Sequence, residues 1–502
     1  MQTSIKSIAV ILLSGLMFAG CENDFLDKAP LVGTTEANFY QTEEDAIAAV
    51  IYAYSVLQWD GHLNPAGHFS WFFGDIMSDD SEKGGSGDND VFTLKQLEEF
   101  EANATNELVE SEWKSNYAGI ARANIVLEKV PEIEMNEITK TRLLAEAKFL
   151  RGWFYYSLVT QWGDVPLITE SLAPSDYNQP RSSAIEVWAL IETDLTEAAA
   201  ILPLRSAMPL TETGRATQGM AQGLLAKAHA WQKEWAECKA ACELIIGSGE
   251  YFMEPDYSTM FSMAGENGTG SIFEIQFMNQ GTGDWGRFTE GTLTNVFQRA
   301  RGQFGGYGFN LPTQSLSDEY ESGDPRKGYT LFVEGDQMGD RGVFTKAATG
   351  FPHDYYSRKY FINSSEEAPI GDANVNGPSN ERVIRYADIL LFHAEASYHL
   401  GDEGGARDDI NQVRARARAG VPGVLPNRTS SGEQLLEHIY HERRIELALE
   451  GHRMGDLNRT DRAGEVMRAQ GKNFVDGTHE LLPVPASEIA ATNGVITQNP
   501  GY

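Results

Sequence analysis

The sequence predicts an all-α protein, built as a solenoid of helix-turn-helix repeats of the tetratricopeptide kind with a loop-rich, irregular insertion. Three observations predict it. Apolar residues recur with helical spacing through most of the chain outside residues 250–380. Two segments, 220–246 and 386–417, share an A-x-x-L-L-x-x-A core followed by a polar turn and a second amphipathic helix. Residues 250–380 are instead rich in glycine, aromatic and polar residues with little periodicity, and their aromatics argue against disorder.

The N-terminus has the pattern of a lipoprotein signal peptide. Lys6 precedes an apolar run from Ile8 to Ala19, which is shorter than the about 20 residues of a membrane-spanning helix. Cys21 follows Phe18-Ala19-Gly20, a pattern that resembles the bacterial lipobox, in which the chain is cut before the cysteine and the thiol carries the lipid. We therefore expect Cys21 to anchor the protein to a membrane face. An ordinary signal peptide that ends near a cysteine is the alternative.

The helices can be followed in chain order. Thr42 is a plausible N-cap for a helix over 43–57. Residues 81–90, which contain no apolar side chain, predict an exposed loop. Helical patterns then cover 113–130, 141–167 and 183–202.

The two similar segments align through small and apolar residues. Ala221, Leu224, Leu225 and Ala228 in the first match Ala387, Leu390, Leu391 and Ala394 in the second, and small residues at such places let helices pack closely. Cys238 and Cys242 lie on one helix face without other metal ligands nearby in sequence. We interpret them as small buried residues.

Composition and motifs exclude several classes of function. The 72 acidic and 40 basic residues give a net charge of -32, which would repel nucleic acid. The sequence contains no G-x-S-x-G, Walker-type glycine loop, C-x-x-C or H-E-x-x-H motif. DANVNG (372–377) imitates the start of a calcium loop, but Val383 stands where the bidentate glutamate should be. We interpret that segment as a turn.

Residues 441–459, HERRIELALEGHRMGDLNR, are dense in ionisable groups. Their spacing predicts a helix with a core-facing stripe, in which Arg443–Glu446 and Glu450–Arg453 form ion pairs along the helix. Gly451 and Gly455 should weaken or end it. We favour this charged structural helix over a catalytic site, because nothing in the sequence supplies a pocket. The apolar stripe consists of Leu436, Ile439, Tyr440, Ile445, Ala448 and Leu449.

Motifs spread in order over nearly the whole chain resemble the SusD/RagB family of surface lipoproteins from Bacteroidetes. They are CENDFLDKAP (21–30), 43–57, AEAKFLRGWFYYSLVTQWGDVPL (145–167), 306–330, RKYF (358–361), 381–402, INQVRARA (410–417), 441–459, LLPVP (481–485) and QNPGY (498–502). The resemblance implies four tetratricopeptide-like units. It divides the chain into a signal peptide (1–20), an N-terminal helical region (21–250) and a C-terminal region (251–502) that includes the insertion 251–380.

The resemblance also implies a function. Such proteins are not enzymes and use no cofactor. They are anchored by lipid to the outer face of the outer membrane, bind a nutrient, most often an oligosaccharide, and close over a TonB-dependent barrel of the SusC kind that imports it. A peptide-binding member of the RagB type, a glycoside hydrolase and a tetratricopeptide-like scaffold that binds only proteins are the alternatives.

Candidate sugar-binding residues follow from the resemblance to the starch-binding member, in which three loops supply an aromatic arc. Two of these loops have aromatic residues here, Trp285 beside Arg287, and Tyr307. The third loop corresponds to 78–90, which has no aromatic side chain, so starch is not supported. The other candidates are polar residues of that loop and residues expected to border the same surface: Asp80, Lys83, Asp88, His68 and Trp71. Burial of Trp71 in the core and solvation of the acidic loop are the alternatives.

Overall fold

The computed structural model describes residues 39–59, 69–279, 290–349, 351–367 and 377–502. Cys21, His68, Trp285, Arg287 and all of DANVNG except Gly377 lie outside these ranges. The helices before the insertion are α1 (Glu43–Tyr54), α2 (Phe92–Glu98), α3 (Glu107–Lys129), α4 (Glu137–Trp162), α5 (Ala184–Ile201), α6 (Gln218–Gln232) and α7 (Trp235–Gly247).

Shorter helices occupy the insertion, and longer ones follow it. Those in the insertion are α8 (Tyr257–Met260), α9 (Thr294–Gln298), α10 (Gln314–Glu319) and α11 (Pro325–Thr330). Those after it are α12 (Tyr386–His399), α13 (Glu403–Ala417), α14 (Glu433–Glu446), α15 (Arg453–Arg459), α16 (Ala463–Ala469) and α17 (Ala486–Ala491). The strands are β1 (Ser81–Gly84), β2 (Ser271–Ile275), β3 (Phe309–Pro312), β4 (Leu331–Phe332), β5 (Tyr356–Ser357) and β6 (Glu381–Arg385).

Eight helices of the described chain pack one against the next in the order α3, α4, α5, α6, α7, α12, α13 and α14. This arrangement confirms the predicted all-α repeat fold. The two similar segments, α6–α7 and α12–α13, are far apart in sequence but adjacent in space, because α12 packs directly on α7. The insertion is therefore looped out between two consecutive repeats.

The matched residues of the two segments lie in the core as predicted. Ala221, Leu224, Leu390 and Ala394 are fully buried or nearly so. Cys238 and Cys242 are buried free thiols, which confirms their interpretation as small core residues. Thr42 caps α1 through a capping box with Asp45, also as predicted, since its hydroxyl accepts from the Asp45 amide.

The insertion has its own small core and is closed at its base by a strand pair. β2, near its start, pairs antiparallel with β6, at its end, and all five residues of β2 are buried. Ala300, Leu311, Phe332, Met338, Phe344 and Tyr356 form a separate apolar cluster within it. Within the described part of the insertion, aromatic residues thus pack into an ordered core, as expected.

The prediction of an exposed loop over 81–90 is wrong for its first half. Residues Ser81–Gly84 form β1, which pairs antiparallel with β3 across the chain, with Glu82 opposite Leu311 and Gly84 opposite Phe309. Ser81 and Lys83 point inward and are buried, whereas Glu82 is exposed. The ladder hydrogen bonds come from a strand more than 200 residues away, so local composition alone did not reveal the strand.

Residues 441–459 form a helical segment, as predicted, but it is interrupted. α14 ends at Glu446, Leu449 adopts a left-handed backbone conformation, and α15 begins at Arg453. Residues 442–450 are all buried, so the segment lies inside the protein and has no solvated face there. Across the described residues, no helix combines the length and apolarity that would let it cross a bilayer.

Candidate ligand-binding site

The pairing of β1 with β3 brings two loops together at one end of this small sheet. The Gly85 amide donates to the Gly308 carbonyl across 2.7 Å, which joins the loop after β1 to the loop before β3. Gly84 is required at the junction: it has φ +74°, and a Cβ there would lie 2.2 Å from the Gly308 oxygen.

Arg301 ties these loops together. Its Nη1 lies 3.1 Å from Asp90 Oδ2 and donates to the Tyr307 carbonyl across 2.8 Å. Its guanidinium also sits 5.6 Å from the centre of the Phe351 ring, whose side chain is 48% exposed. We call Asp90, Arg301, Tyr307 and Phe351 the loop surface.

Tyr307 is held on one side and partly open on the other. Its amide donates to the Val296 carbonyl across 3.0 Å, and its ring meets Phe297 edge to face at 5.7 Å between centroids. The side chain is only partly buried. Asp88 is exposed on the neighbouring loop. The loop surface thus combines accessible aromatic groups with a carboxylate and a guanidinium, the mixture that suits sugar hydroxyls and C–H faces.

Three other predicted site residues are interior residues. Trp71 is 2% exposed, and its indole nitrogen donates to Thr294 Oγ1 across 3.3 Å. Lys83 is 1% exposed, and its ammonium donates to the carbonyls of Gly87 and Asp90. Neither side chain presents surface to a ligand, because apolar and hydrogen-bonded neighbours already surround it. We therefore do not retain them in the candidate site.

Asp80 is likewise structural. It is fully buried, and Arg444 Nε donates to its Oδ1 across 2.7 Å. Burial raises the pKa of Asp80 despite the opposing charge of Arg444. Sequence reasoning instead missed Asp90, Arg301 and Phe351. The signal for Arg301 and Phe351 was the same Gly-rich, aromatic composition that drew attention to Tyr307.

The ionisable groups of residues 441–459 form a buried network. The predicted pairs along the helix are wrong, because the glutamates pair with residues from other elements. Arg326 Nη1 lies 2.6 Å from Glu442 Oε1, Arg385 Nη1 lies 2.9 Å from Glu446 Oε1, and Lys359 Nζ lies 2.6 Å from Glu450 Oε1. All three cations come from the insertion or its closing strand, so the network joins the insertion to α14 and to the turn that follows α14.

The network supports the structure electrostatically, because its charges pair with one another inside the protein. Burial alone would raise the pKa of Glu446, but Arg416, Arg385 and Arg326 outweigh it and hold that pKa well below its usual range. Burial lowers the pKa of Lys359 to about 8 against the attraction of Glu450. The expectation of a structural role for this segment is consistent with these contacts.

Among the described residues, one cluster combines side chains of the types that commonly bind metal ions. Glu192, His229 and Glu234 bring one ligand atom each to within 4.8 Å of one another. His229 Nδ1 lies 2.7 Å from Glu234 Oε2, and Glu192 Oε1 accepts from Gln232 across 2.7 Å. These hydrogen bonds account for the cluster without a metal.

Comparisons with known proteins place the chain in a family. A model described as the SusD family matches residues 269–502, and one described as starch-binding and associating with the outer membrane matches residues 71–229. A SusD-like protein of Formosa agariphila is 28% identical over 520 residues, covering 97% of this chain and 96% of the relative. One from Bacteroides ovatus is 26% identical, covering 90% and 82%.

Solved structures agree with this assignment. A laminarin binding SusD-like protein is 30% identical and superposes with a TM-score of 0.83, covering 92% of this chain and all of the other. Surface glycan-binding protein A from Bacteroides thetaiotaomicron, in complex with laminarihexaose, is 25% identical with a TM-score of 0.80 and covers 91% of this chain and 100% of that one. The fold and these matches together show that the chain belongs to the SusD family.

Proposed function

We propose that this protein is a cell-surface lipoprotein that captures an oligosaccharide and delivers it to a SusC-like TonB-dependent transporter in the outer membrane. In this proposal it binds its ligand without chemical change. The lipid is carried by Cys21 after removal of residues 1–20, and the protein faces the cell exterior.

The observation that carries the proposal is the connection that Arg301 makes between Asp90, Tyr307 and Phe351. A sugar offers apolar C–H faces and a rim of hydroxyl groups, so it needs flat aromatic surface beside fixed donors and acceptors. Arg301 supplies donors on a planar group, and its contact with Asp90 fixes that group in place. We propose that Asp88, Trp285, Arg287 and His68 contribute further contacts to the same ligand.

The relatives suggest which glycan to try first. One solved relative is described as laminarin binding and another is in complex with laminarihexaose. We therefore propose laminarin-type glucans as the first candidate ligands. An acidic protein with net charge -32 is also better suited to a neutral polysaccharide than to an anionic one, because like charges repel.

A ligand panel tests the proposal against its rivals. Affinity electrophoresis through gels that contain laminarin, starch or other polysaccharides should retard the protein in at least one gel, and calorimetry with oligosaccharides of that glycan should give saturable binding. Saturable binding to peptides but to no glycan would favour the peptide-binding alternative and contradict the proposal. Release of shorter sugars during incubation would indicate a glycoside hydrolase, whose two carboxyl groups must lie ~5–10 Å apart across the bond.

Delivery to a transporter is tested separately. Mild detergent extraction of the outer membrane, followed by purification through a tag on this protein, should recover a TonB-dependent barrel. Cys21→Ala should release the protein from the membrane fraction, because the thiol that carries the lipid is gone. Recovery of the protein alone, or membrane retention of Cys21→Ala, would contradict this part of the proposal.

A further inference from the structure

A cavity of about 210 Å³ lies between the helical repeats and the C-terminal segment, and no residue of the loop surface lines it. Its walls come from α4, α6 and α15, from a single π-helical turn (Phe72–Ile76) and from residues 479–482. At roughly 30 Å³ for each water molecule, it has room for about seven. The space therefore has room for one small molecule.

Three large aromatic side chains form part of the wall. Trp153, Tyr156 and Trp231 are all half-buried and line the cavity. Trp153 and Tyr156 lie nearly parallel, at 20° and 6.4 Å between centroids, while Trp231 stands at 77° to Tyr156. Rings at these angles offer both a face and an edge to a bound molecule with apolar C–H groups.

Three wall residues carry buried oxygen atoms that accept no hydrogen bond within the described structure: Gln161 Oε1, Asn458 Oδ1 and Glu480 Oε2. The side-chain amides of Gln161 and Asn458 are oriented by the hydrogen bonds that their nitrogen atoms donate. Gln161 Nε2 donates to Ser157 Oγ across 3.0 Å, and Asn458 Nδ2 donates to the Glu480 carbonyl across 3.2 Å. Buried acceptors without donors are destabilising. These three oxygens have almost no exposed surface, so the O–H groups of an occupant would instead meet the carboxylates of Glu381 and Glu480, which also line the cavity.

Three charged groups of the wall, Arg459, Glu450 and Lys227, have partners of opposite charge. Arg459 lies 2.8 Å from both Asp456 and Glu395, and Glu450 pairs with Arg385 across 2.6 Å. Lys227 Nζ contacts Asp388 Oδ2 at 3.5 Å. An anionic ligand would meet no uncompensated cation among these groups, and Glu381 and Glu480 add negative charge to the wall, so a neutral ligand is favoured over an anionic one.

We propose that this cavity binds a single pyranose ring of a neutral sugar. Trp153, Tyr156 and Trp231 contact its C–H faces, Glu381 and Glu480 accept from its hydroxyls, and Lys227 donates to a ring or hydroxyl oxygen. The site is distinct from the loop surface. Phe69 lines the cavity, and its ring lies 5.6 Å from the ring of Phe297. The Phe297 ring contacts Tyr307 on its other side and so lies between the cavity and the loop surface. This inference does not depend on glycan binding at the loop surface.

Titration with monosaccharides tests it. D-Glucose, D-galactose and D-mannose are added separately while intrinsic tryptophan fluorescence and saturation-transfer NMR are followed, with D-glucuronate as the anionic control. At least one neutral sugar should bind saturably with a millimolar Kd, and more tightly than D-glucuronate. No saturable binding of any neutral sugar would leave ordered water as the occupant and overturn the proposal, as would tighter binding of D-glucuronate.

Variants locate the bound sugar. Thr160→Met, which adds volume at the cavity wall, should weaken monosaccharide binding at least tenfold without lowering the Tm, and Trp231→Phe, a milder change, should weaken it less. Tyr307→Ala should leave monosaccharide binding unchanged. Monosaccharide binding that survives Thr160→Met and Trp231→Phe in folded protein, or that is lost in Tyr307→Ala, would overturn the cavity assignment. Neither result would bear on polysaccharide binding, which is measured in the gel assay.

Discussion

Glu446 Oε1 accepts a hydrogen bond from Arg385 Nη1 across 2.9 Å, in the interior between α14 and the end of β6. Both side chains are almost completely buried. Arg326 and Arg416 also contact this carboxylate, so one negative charge is shared by three guanidinium groups. The contact connects the strand that closes the insertion to the repeat helices, and hence fixes how the insertion sits on them.

Glu446→Gln should destabilise the fold strongly. The amide keeps the shape of the side chain but removes one of the negative charges that compensate three buried guanidinium groups, and breaking a buried ion pair typically costs about 3–5 kcal/mol. Glu437→Gln on the same helix is the matched control, because Glu437 is 61% exposed in its pair with Arg462 and should change stability by less than about 1 kcal/mol. Urea unfolding of both variants checks this, and equal losses would contradict the structural role of the network.

His452 should make the fold sensitive to acid. Burial first, and then the charge of Lys227, lower the pKa of His452 to about 4, and Lys227 Nζ lies 3.3 Å from its Nδ1. The ordinary value is near 6.5. A lowered histidine pKa means that its contribution to stability is fully present above about pH 6.5 and is lost as the pH falls towards 4.

His452→Gln should therefore lose less stability on acidification than the parent protein does. The difference between pH 7 and pH 4 is at most about 3 kcal/mol by linkage. The measurement is the free energy of unfolding of both proteins at several pH values. Parallel pH profiles for His452→Gln and the parent would refute the assignment.

His393→Gln should show the opposite effect. Burial lowers the pKa of His393, but the hydrogen bond and charge of Asp409 outweigh burial, so the pKa is raised. Protonated His393 therefore stabilises the parent at low pH, and His393→Gln should lose more stability there than the parent does.

Arg301→Met should weaken glycan binding with little effect on folding. The change removes the contacts to Asp90 and to the Tyr307 carbonyl, and a tenfold loss of affinity corresponds to about 1.4 kcal/mol. The ion pair is about a quarter exposed, so its loss should lower stability by no more than about 1 kcal/mol. Arg358→Met, in the same insertion but paired with Asp336, should leave affinity unchanged. If calorimetry gave equal affinities for both variants, Arg301 would not be a ligand-binding residue.

Replacing two helical glycines by alanine should change the stability of the protein in opposite directions. A Cβ on Gly119 of α3 would lie 2.3 Å from the Phe154 ring of α4, and such overpacking costs about 1–3 kcal/mol. A Cβ on Gly247 of α7 meets no atom within 4 Å, so Gly247→Ala should be neutral or stabilise by up to ~1 kcal/mol. Thermal unfolding of the pair tests how closely α3 and α4 pack, and a stabilising Gly119→Ala would contradict that packing.

Much of the helical architecture could be predicted because it is encoded locally. The A-x-x-L-L-x-x-A cores around Ala221 and Ala387 revealed two repeats, and Thr42 revealed the start of α1. What could not be predicted depends on distant partners. Lys83 looked like a loop residue because its burial requires β3 and the carbonyls of Gly87 and Asp90. Asp80 is buried in an ion pair with Arg444, which belongs to α14 and is distant in sequence.

The candidate site shows the same division. Tyr307 could be singled out, since an aromatic residue between glycines is conspicuous in sequence. Its connection to Asp90 could not, because Arg301 links two loops that only the β1–β3 pairing brings together. The neighbours of Glu446 were misassigned for a related reason: helical spacing describes which residues share a face of one helix but not which residues of other elements approach it.

Calorimetry of Tyr307→Ala and Tyr307→Phe tests glycan binding at the loop surface most directly. The titrant is laminarihexaose or the tightest oligosaccharide of the ligand panel, and the Tm of each variant confirms folding. Tyr307→Ala removes the ring and should lower affinity at least tenfold, which corresponds to about 1.4 kcal/mol, whereas Tyr307→Phe keeps the aromatic face and should stay within a few-fold of the parent. Parent-like affinity in folded Tyr307→Ala, or no saturable binding of any glycan by the parent protein, would contradict it.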